Sequence, residues 1–436
     1  MSGALQVVYM NQRSFVPPVA YFIGLLGGAD VDEGYGVAVD SAGGVYVCGQ
    51  SLNSGTTDVQ LAKYNASGVI QWQRRLGASG TTSRGRKVAI DSSDNIYVTG
   101  FNTDGTGTYL SLAKYNSSGT IQFQKKLGGA SGENDRGLGI TIDSSNNIYV
   151  TGTSKGTVGF AGVLIVKYNS SGAVQWQRTL SNVLGDQGNF LDTDSSGNVY
   201  ICGQGVNFGE SNNIILAKYN SSGTIQWQRK LVGTNSETAL GIVVDSSGNS
   251  YITGTSNNSG TFDIQILKYN SSGTIQFQRL LGRSGQTDGQ SIVFDSSNNF
   301  YVLGSSLISS IFRFQIAKYN SSGTIQWQRK LGSSSGNTTG FSIAVDSTDN
   351  IYAFGQTGVS GTTDFIIAKL PNDGSLTNTY TVGAYSFVYE ASTLTDDASS
   401  LTDSAATFTD LSVSLSEATT SLTDAASTLT STVTTL

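Results

Sequence analysis

The sequence predicts an all-β protein, a seven-bladed β-propeller of four-stranded antiparallel blades followed by a C-terminal tail of a different kind. Three observations carry this expectation. The string Lys-Tyr-Asn-Ser-Ser-Gly-Thr-Ile-Gln returns almost unchanged, its Lys at Lys63, Lys114, Lys167, Lys218, Lys268, Lys318 and Lys369, in steps of 51, 53, 51, 50, 50 and 51 residues. A second string, Val-Asp-Ser-Ser-x-Asn-x-Tyr, keeps the same beat, with its Asp at Asp40, Asp91, Asp143, Asp194, Asp245, Asp295 and Asp346. The composition, with 54 Gly, 3 Pro and only 13% charged residues, is that of short strands joined by tight turns. A long period made of such strands marks blades of a propeller or coils of a solenoid, in which each unit leans on its neighbours.

The strands follow from one unit. Val37-Ala38-Val39, Val45-Tyr46-Val47-Cys48 and Val59-Gln60-Leu61-Ala62-Lys63-Tyr64 are short β-branched or aromatic runs bounded by Gly, Asn, Asp or Ser. Asn65-Ala66-Ser67-Gly68 turns the chain into a fourth run, where Ile70, Trp72, Arg74 and Leu76 face one way and Gln71, Gln73 and Arg75 the other. That alternation marks the outer strand. The aromatic recurs at Trp72, Phe123, Trp176, Trp227, Phe277 and Trp327, and is predicted to fill the gap to the next blade with the following Arg or Lys across its ring. Tyr21 to Leu25 stands where an outer strand would complete the last blade, and Leu376 to Val382 competes for that place; either closes the ring and removes exposed edges.

The order Val-Asp-Ser-Ser-Gly-Asn-Ser-Tyr-Ile-Thr-Gly-Thr at residues 244–255, then Ile266-Leu267-Lys268-Tyr269-Asn270 and Gly273, resembles the bacterial β-propeller repeat called SBBP, and the likeness holds in every unit. The resemblance implies a propeller and an extracellular or surface habit, without a defined activity. It also implies a secretion signal, which residues 1–18 do not supply: they lack a basic start and an apolar run of signal length. Met1-Ser2-Gly3-Ala4-Leu5-Gln6, with Asn11-Gln12-Arg13-Ser14-Phe15, resembles instead the start of virion structural proteins of tailed marine phages, cyanophages in particular. That resemblance implies a fibre, spike or head-decoration protein assembled in the host cytoplasm.

The tail has its own period. Leu394, Leu401, Phe408, Leu415, Leu422, Leu429 and Leu436 are spaced by seven, with Ala398, Ala405, Ser412, Thr419, Ala426 and Val433 four residues on. This a/d pattern predicts a helical coiled coil, a homotrimer being the expected state, with a Ser/Thr-rich extended tail as the alternative. The expected organisation is therefore an arm at 1–19, the propeller at 20–383 and an oligomerising tail at 384–436. The tail carries Glu390, Asp396, Asp397, Asp403, Asp410, Glu417 and Asp424 with no basic residue, so the net charge of -6 resides there and the repeat body is close to neutral. Neither a nucleic-acid partner nor a polybasic membrane contact fits that distribution, and no apolar run is long enough to insert in a membrane.

The chemistry readable from the chain is sparse. Histidine is absent, which removes the commonest general base and metal ligand. Cys48 and Cys202 occupy one repeat position that elsewhere holds Thr99, Thr151, Thr253, Leu303 and Phe354, so they read as buried packing residues. The Asp-Ser-Ser-x-Asn loops lack the further carboxylates of a Ca²⁺ loop and read as turn caps, and the Asn-x-Ser triplets read as hairpin turns rather than glycosylation sites. The repeated Lys is predicted to pair with the repeated Asp of its own blade. Arg84, Arg86 and Lys87, with Glu133, Asp135 and Arg136 one unit later, read as ion pairs between neighbouring blades.

No catalytic, cofactor or metal site is expected, and since no carboxylate pair stands out from the repeat the protein is read as non-enzymatic. Ligand-binding residues are sought where the units differ. The loops after the second strands carry Phe101 and Tyr109, Phe160, Phe208, Phe262 and the stretch from Ile308 to Phe312, aromatics beside Asn, Asp and Gly that suit stacking on sugar rings. The expected function is a virion structural protein whose partners are other virion proteins, itself and host-surface glycans. The alternative is a secreted or surface bacterial propeller that binds protein or carbohydrate.

Overall fold

The computed structural model describes residues 21–398 apart from short loop segments, and beyond them the backbone of five further strands. The chain builds seven antiparallel blades around a central channel. In blade 1 the strands, from channel to rim, are Asp32–Val39, Val45–Asn53, Thr56–Tyr64 and Ile70–Gly77. Blades 2 to 6 repeat the pattern to Ser333. Blade 7 takes Thr338–Val345, Ile351–Thr357 and Asp364–Leu370, and its fourth strand is Phe22–Gly27 from the other end of the chain. The register Phe22↔Lys369 to Leu26↔Phe365 closes the ring. The competing segment, Asn378–Val382, forms a hairpin with Tyr385–Ala391 on the rim of blade 6 instead.

The core lies between blades. Tyr46, Cys48 and Leu61 of blade 1 pack on Ile96, Val98 and Tyr115 of blade 2, and equivalent clusters recur around the ring. Cys48 and Cys202 are buried and unbridged, as their repeat position suggested, and burial pushes the Cys48 thiol up to about 12.

The repeated strings are the fittings of this core. Asp40 Oδ1 accepts the Gly44 amide at 2.6 Å, and Asp40 Oδ2 accepts the Tyr46 hydroxyl at 2.9 Å and lies 3.3 Å from Lys63 Nζ. The carboxylate is thereby committed to the turn and the blade, which explains the string without a cation. The Lys–Asp pair forms in blades 1, 2, 4, 6 and 7. In blade 3 Lys167 lies 5.1 Å from the Tyr149 ring centre and donates to the Ser221 carbonyl at 3.1 Å. The Asn-Ser-Ser-Gly turns dock on the preceding blade: Trp176 Nε1 donates to the Ser221 carbonyl at 3.2 Å, and Arg178 Nε to the Gly223 carbonyl at 2.8 Å. Arg178 lies over the Trp176 ring, as the spacing of the fourth strand predicted.

Where the tail is described it is strand, so the predicted helical coiled coil is not what the structure shows. Thr395–Ala398 pairs with the outer strand of blade 5, Thr402–Ala405 with blade 4, Thr409–Ser412 with blade 3, Ser416–Ala418 with blade 2 and Thr423–Ala426 with blade 1. Thr430–Thr435 pairs with Phe22–Gly27 of blade 7. Counting Tyr385–Ala391 on blade 6, the tail adds a strand to each blade in reverse order. Seven extended residues reach about 23 Å at ~3.3 Å each, so the sevenfold period steps from one blade rim to the next. A seven-residue repeat would flip faces in a continuous strand, but these strands are short and separate. Of the predicted helical seam, Leu394 is half-buried against the blade 5 and 6 cluster, while Leu401, Phe408, Leu415, Leu422 and Leu429 lie outside the described residues.

Candidate ligand-binding site at the channel mouth

The channel wall is built from the first strand of every blade, and each of these strands carries a bulge at the same place. The register slips between Gly34 and Gly36, Gly85 and Lys87, Gly137 and Gly139, Gly188 and Phe190, Ala239 and Gly241, Gly289 and Ser291, and Gly340 and Ser342. A bulge leaves one residue unpaired and re-aims its side chain. The seven residues so released, Tyr35, Arg86, Leu138, Asn189, Leu240, Gln290 and Phe341, together line a cavity of about 210 Å³, with Lys87 and Gln187 beside them. The residue before the bulge is Gly in six blades and Ala in the seventh, and at Gly34, Gly85, Gly137, Gly289 and Gly340 a carbonyl oxygen of the neighbouring blade passes within 3 Å of where a side chain would start; the bulged residue itself varies in size, charge and polarity. The repeat thus holds a fixed frame around a variable ring.

That ring is electrically lopsided. Arg84 and Arg86 of blade 2 and Arg136 of blade 3 place their guanidinium carbons 5.8, 5.3 and 4.8 Å from the centre of the Phe101 ring. Arg86 also covers Tyr35 at 4.4 Å, and Tyr35 packs on Phe341 at 5.4 Å. The Tyr35 hydroxyl donates to Glu33 at 2.6 Å, and burial pushes its pKa up to about 12. Lys87 Nζ donates to the Phe341 carbonyl at 3.2 Å and stands over Phe190 at 5.5 Å, joining three blades; burial pushes it down to about 8. Acids occupy other sectors. Burial raises Asp288 of blade 6, which accepts from Gln290 Nε2 at 3.1 Å and the Ser305 amide at 2.8 Å. Asp192 of blade 4, raised by burial to about 6, accepts the Val244 and Thr193 amides, both at 2.8 Å.

A second cavity of about 300 Å³ adjoins the mouth between blades 5 and 6, lined by Thr255, Phe262, Gln286, Thr287, Asp288, Gln290 and Phe312. Gln290 belongs to both cavities, so the groove and the channel mouth are continuous. Phe262 is 38% exposed, and the Phe312 amide donates to Asn337 Oδ1 at 2.9 Å, which fixes the backbone that carries its ring.

The predicted loop aromatics therefore separate. Phe262 and Phe312 come together in one groove. Phe101 is buried under guanidiniums and presents no free face. Tyr109 is covered by Lys126 at 3.4 Å, which in turn pairs with Asp104 at 2.9 Å. Phe160 and Phe208 lie outside the described residues. The ion pairs expected of Arg84, Arg86, Lys87 and Arg136 do not form with carboxylates among the described residues; Glu133 lies outside them. The bulged ring was missed by sequence reasoning, and its signal was the one variable position that follows a Gly or Ala in each first strand.

Comparison with known proteins agrees with the architecture. The model of the SBBP beta-propeller repeat matches residues 22–55, 71–106, 125–159, 226–260 and 326–361. An uncharacterized WD repeat-containing protein of Acanthamoeba polyphaga mimivirus is 24% identical over 247 residues, covering 49% of this chain and 15% of that protein's length. Among solved structures, a catalytically inactive virginiamycin B lyase variant from Staphylococcus aureus, solved with quinupristin, is similar at TM-score 0.50 and 14% identity, over 80% of this chain and all of that one. Sqt1 from Chaetomium thermophilum is similar at TM-score 0.47 and 11% identity, over 82% and 98% of the two chains. At such identities the likeness is one of fold. It corrects the expectation that the protein is not an enzyme: chains of this fold include a lyase, so the lack of a carboxylate pair standing out from the repeat gives no ground for excluding catalysis. The chain is a β-propeller repeat protein, five segments of which match the SBBP repeat model, and it is distantly similar to a viral WD-repeat protein.

Proposed function

We propose that the propeller is a ligand-binding module that grips a saccharide on its channel face and is displayed on a virus particle. The observation that carries the binding role is the groove where Phe262 and Phe312 meet Gln286, Asp288 and Gln290. Aromatic faces pack against the C–H face of a sugar ring, and amides and a carboxylate take its hydroxyls. The ligand would be a host-surface glycan and the neighbours other virion proteins. The viral setting is supported by the distant similarity to a mimivirus protein.

Titration of the full chain against a panel of oligosaccharides tests the binding role. Phe262→Ala and Phe312→Ala are each expected to weaken the retained ligand roughly tenfold, the loss of one buried aromatic contact. Binding unchanged in both variants would remove the groove from the function. Mass spectrometry of purified particles tests the setting. Recovery of the protein only among proteins secreted by a bacterium would favour the surface-propeller reading, to which the SBBP repeats also lend support.

A further inference from the structure

Three guanidinium groups gather around one phenyl ring at the channel mouth without a described carboxylate to neutralise them. Arg84, Arg86 and Arg136 all lie within 5.8 Å of the Phe101 ring centre. Nε of Arg84 and of Arg86 is buried and has no hydrogen-bond partner among the described residues. Arg136 Nε reaches only a neutral amide, Asn134 Oδ1 at 2.9 Å. Burial, with Arg86 and Arg84 close by, holds Arg136 below the usual guanidinium range. Glu33 of blade 1 accepts from Tyr35 at 2.6 Å and from Gln50 Nε2 at 2.5 Å and forms no ion pair with the three arginines among the described residues.

A single ring quadrupole attracts a cation weakly and does not cancel three charges. Buried donors left unpaired cost stability, and like charges brought together repel. Both costs are relieved at once by an oxyanion, whose lone pairs match the planar fork of the guanidinium. Phe101 is the ring on which all three groups pack, which gives this buried aromatic a role its loop position did not suggest. Arg86 also lines the channel cavity that Gln290 joins to the groove. An anion seated here is therefore continuous with whatever occupies the groove.

We propose that Arg84, Arg86 and Arg136 form an oxyanion subsite, so that the ligand of the channel face is an acidic saccharide bearing a carboxylate or a sulfate ester. The identity of the ligand as a saccharide rests on the reading given above; the anion subsite rests on the arginines alone.

The experiment is calorimetric titration of the full chain with three probes: a neutral oligosaccharide, the same oligosaccharide carrying uronate or sulfate groups, and inorganic sulfate. The acidic saccharide is expected to bind at least tenfold tighter than the neutral one, with the advantage shrinking as salt rises. Arg86→Gln and Arg136→Gln are each expected to cost roughly tenfold to a hundredfold against the acidic probe, and Arg86→Lys less, because it keeps charge but not the fork. Equal binding of acidic and neutral saccharide by the unaltered chain overturns the subsite and leaves the saccharide reading standing. Sulfate binding that Arg86→Gln abolishes, with no saccharide bound, supports the subsite and overturns the saccharide reading. The comparison within the unaltered chain needs no variant to fold.

Discussion

The Gly that ends each Asn-Ser-Ser-Gly turn illustrates how one residue serves two demands. Gly223 sits at φ +78°, a backbone region that costs a residue with a side chain about 1–2 kcal/mol. A methyl group there would also lie 2.9 Å from the ring of Trp176 on the preceding blade. Gly55 has φ +86° but nothing within 4 Å of an added carbon. Gly223→Ala is therefore expected to destabilise the protein more than Gly55→Ala, which carries the backbone cost alone. Urea unfolding of the two variants checks this; equal losses would show that the turn does not bear on the tryptophan. These turns and the tyrosines before them were legible because six of the seven copies agree on them, the last reading Leu370-Pro371-Asn372-Asp373-Gly374. The bulged ring was less so, because a bulge is a property of register between two strands. Tyr35 and Arg86 stand at one structural position without sharing any chemistry that a scan for common residues would find.

At the scale of elements, the two ends of the chain meet on the rim of blade 7 and do different work. Phe22, Ile23, Leu25 and Leu26 of the closing strand are all buried. At about 1.5–3 kcal/mol for each such side chain, losing them removes an amount comparable to the whole stability of a typical domain. The tail strands beyond residue 394 instead lie on rims that are already paired along their inner side. Deleting residues 22–27 is expected to unfold the propeller, whereas ending the chain at residue 392 should leave it folded. The truncated form uncovers strand edges and is expected to self-associate more than the full chain. A coiled-coil tail predicts the reverse, a loss of association on truncation, so sedimentation of the two lengths decides between them. The period of the tail was plain in the sequence and its meaning was not. Seven residues fit two turns of a helix as well as the step between blade rims, and that step is a property of the assembled ring.

Over the whole molecule, the absence of histidine makes the response to pH informative. With His 0 in the sequence, no side chain of ordinary pKa titrates between about pH 5 and 7. Two acids are moved into that window by burial, Asp192 to about 6 and Glu237 to about 7. Their folded values lie above their unfolded ones, so the native state binds more protons than the unfolded chain there, and stability rises as pH falls through the window. The turn carboxylates act oppositely. Burial would raise Asp91, but hydrogen bonds from Asn95, Tyr97 and Ser93 hold it below its ordinary value. Asp295 and Asp346 are lowered by the same kind of network, against the same opposing burial. The stability these groups contribute is present above the unfolded pKa near 3.8 and is lost as pH falls through their depressed values. Buried Lys87, lowered to about 8, works against this at the alkaline end, so the melting temperature is expected to climb as pH falls from about 7 to 5 and to drop below about 4. Asp192→Asn should flatten the climb while leaving the acid limb in place, since the amide does not titrate; it keeps only one of the two oxygens that accept the Val244 and Thr193 amides, so it is also expected to lower stability across the whole range. Thermal unfolding of both chains across this range checks it, and an unaltered climb in Asp192→Asn would mean that the buried carboxylate of the channel wall does not govern the ring's stability.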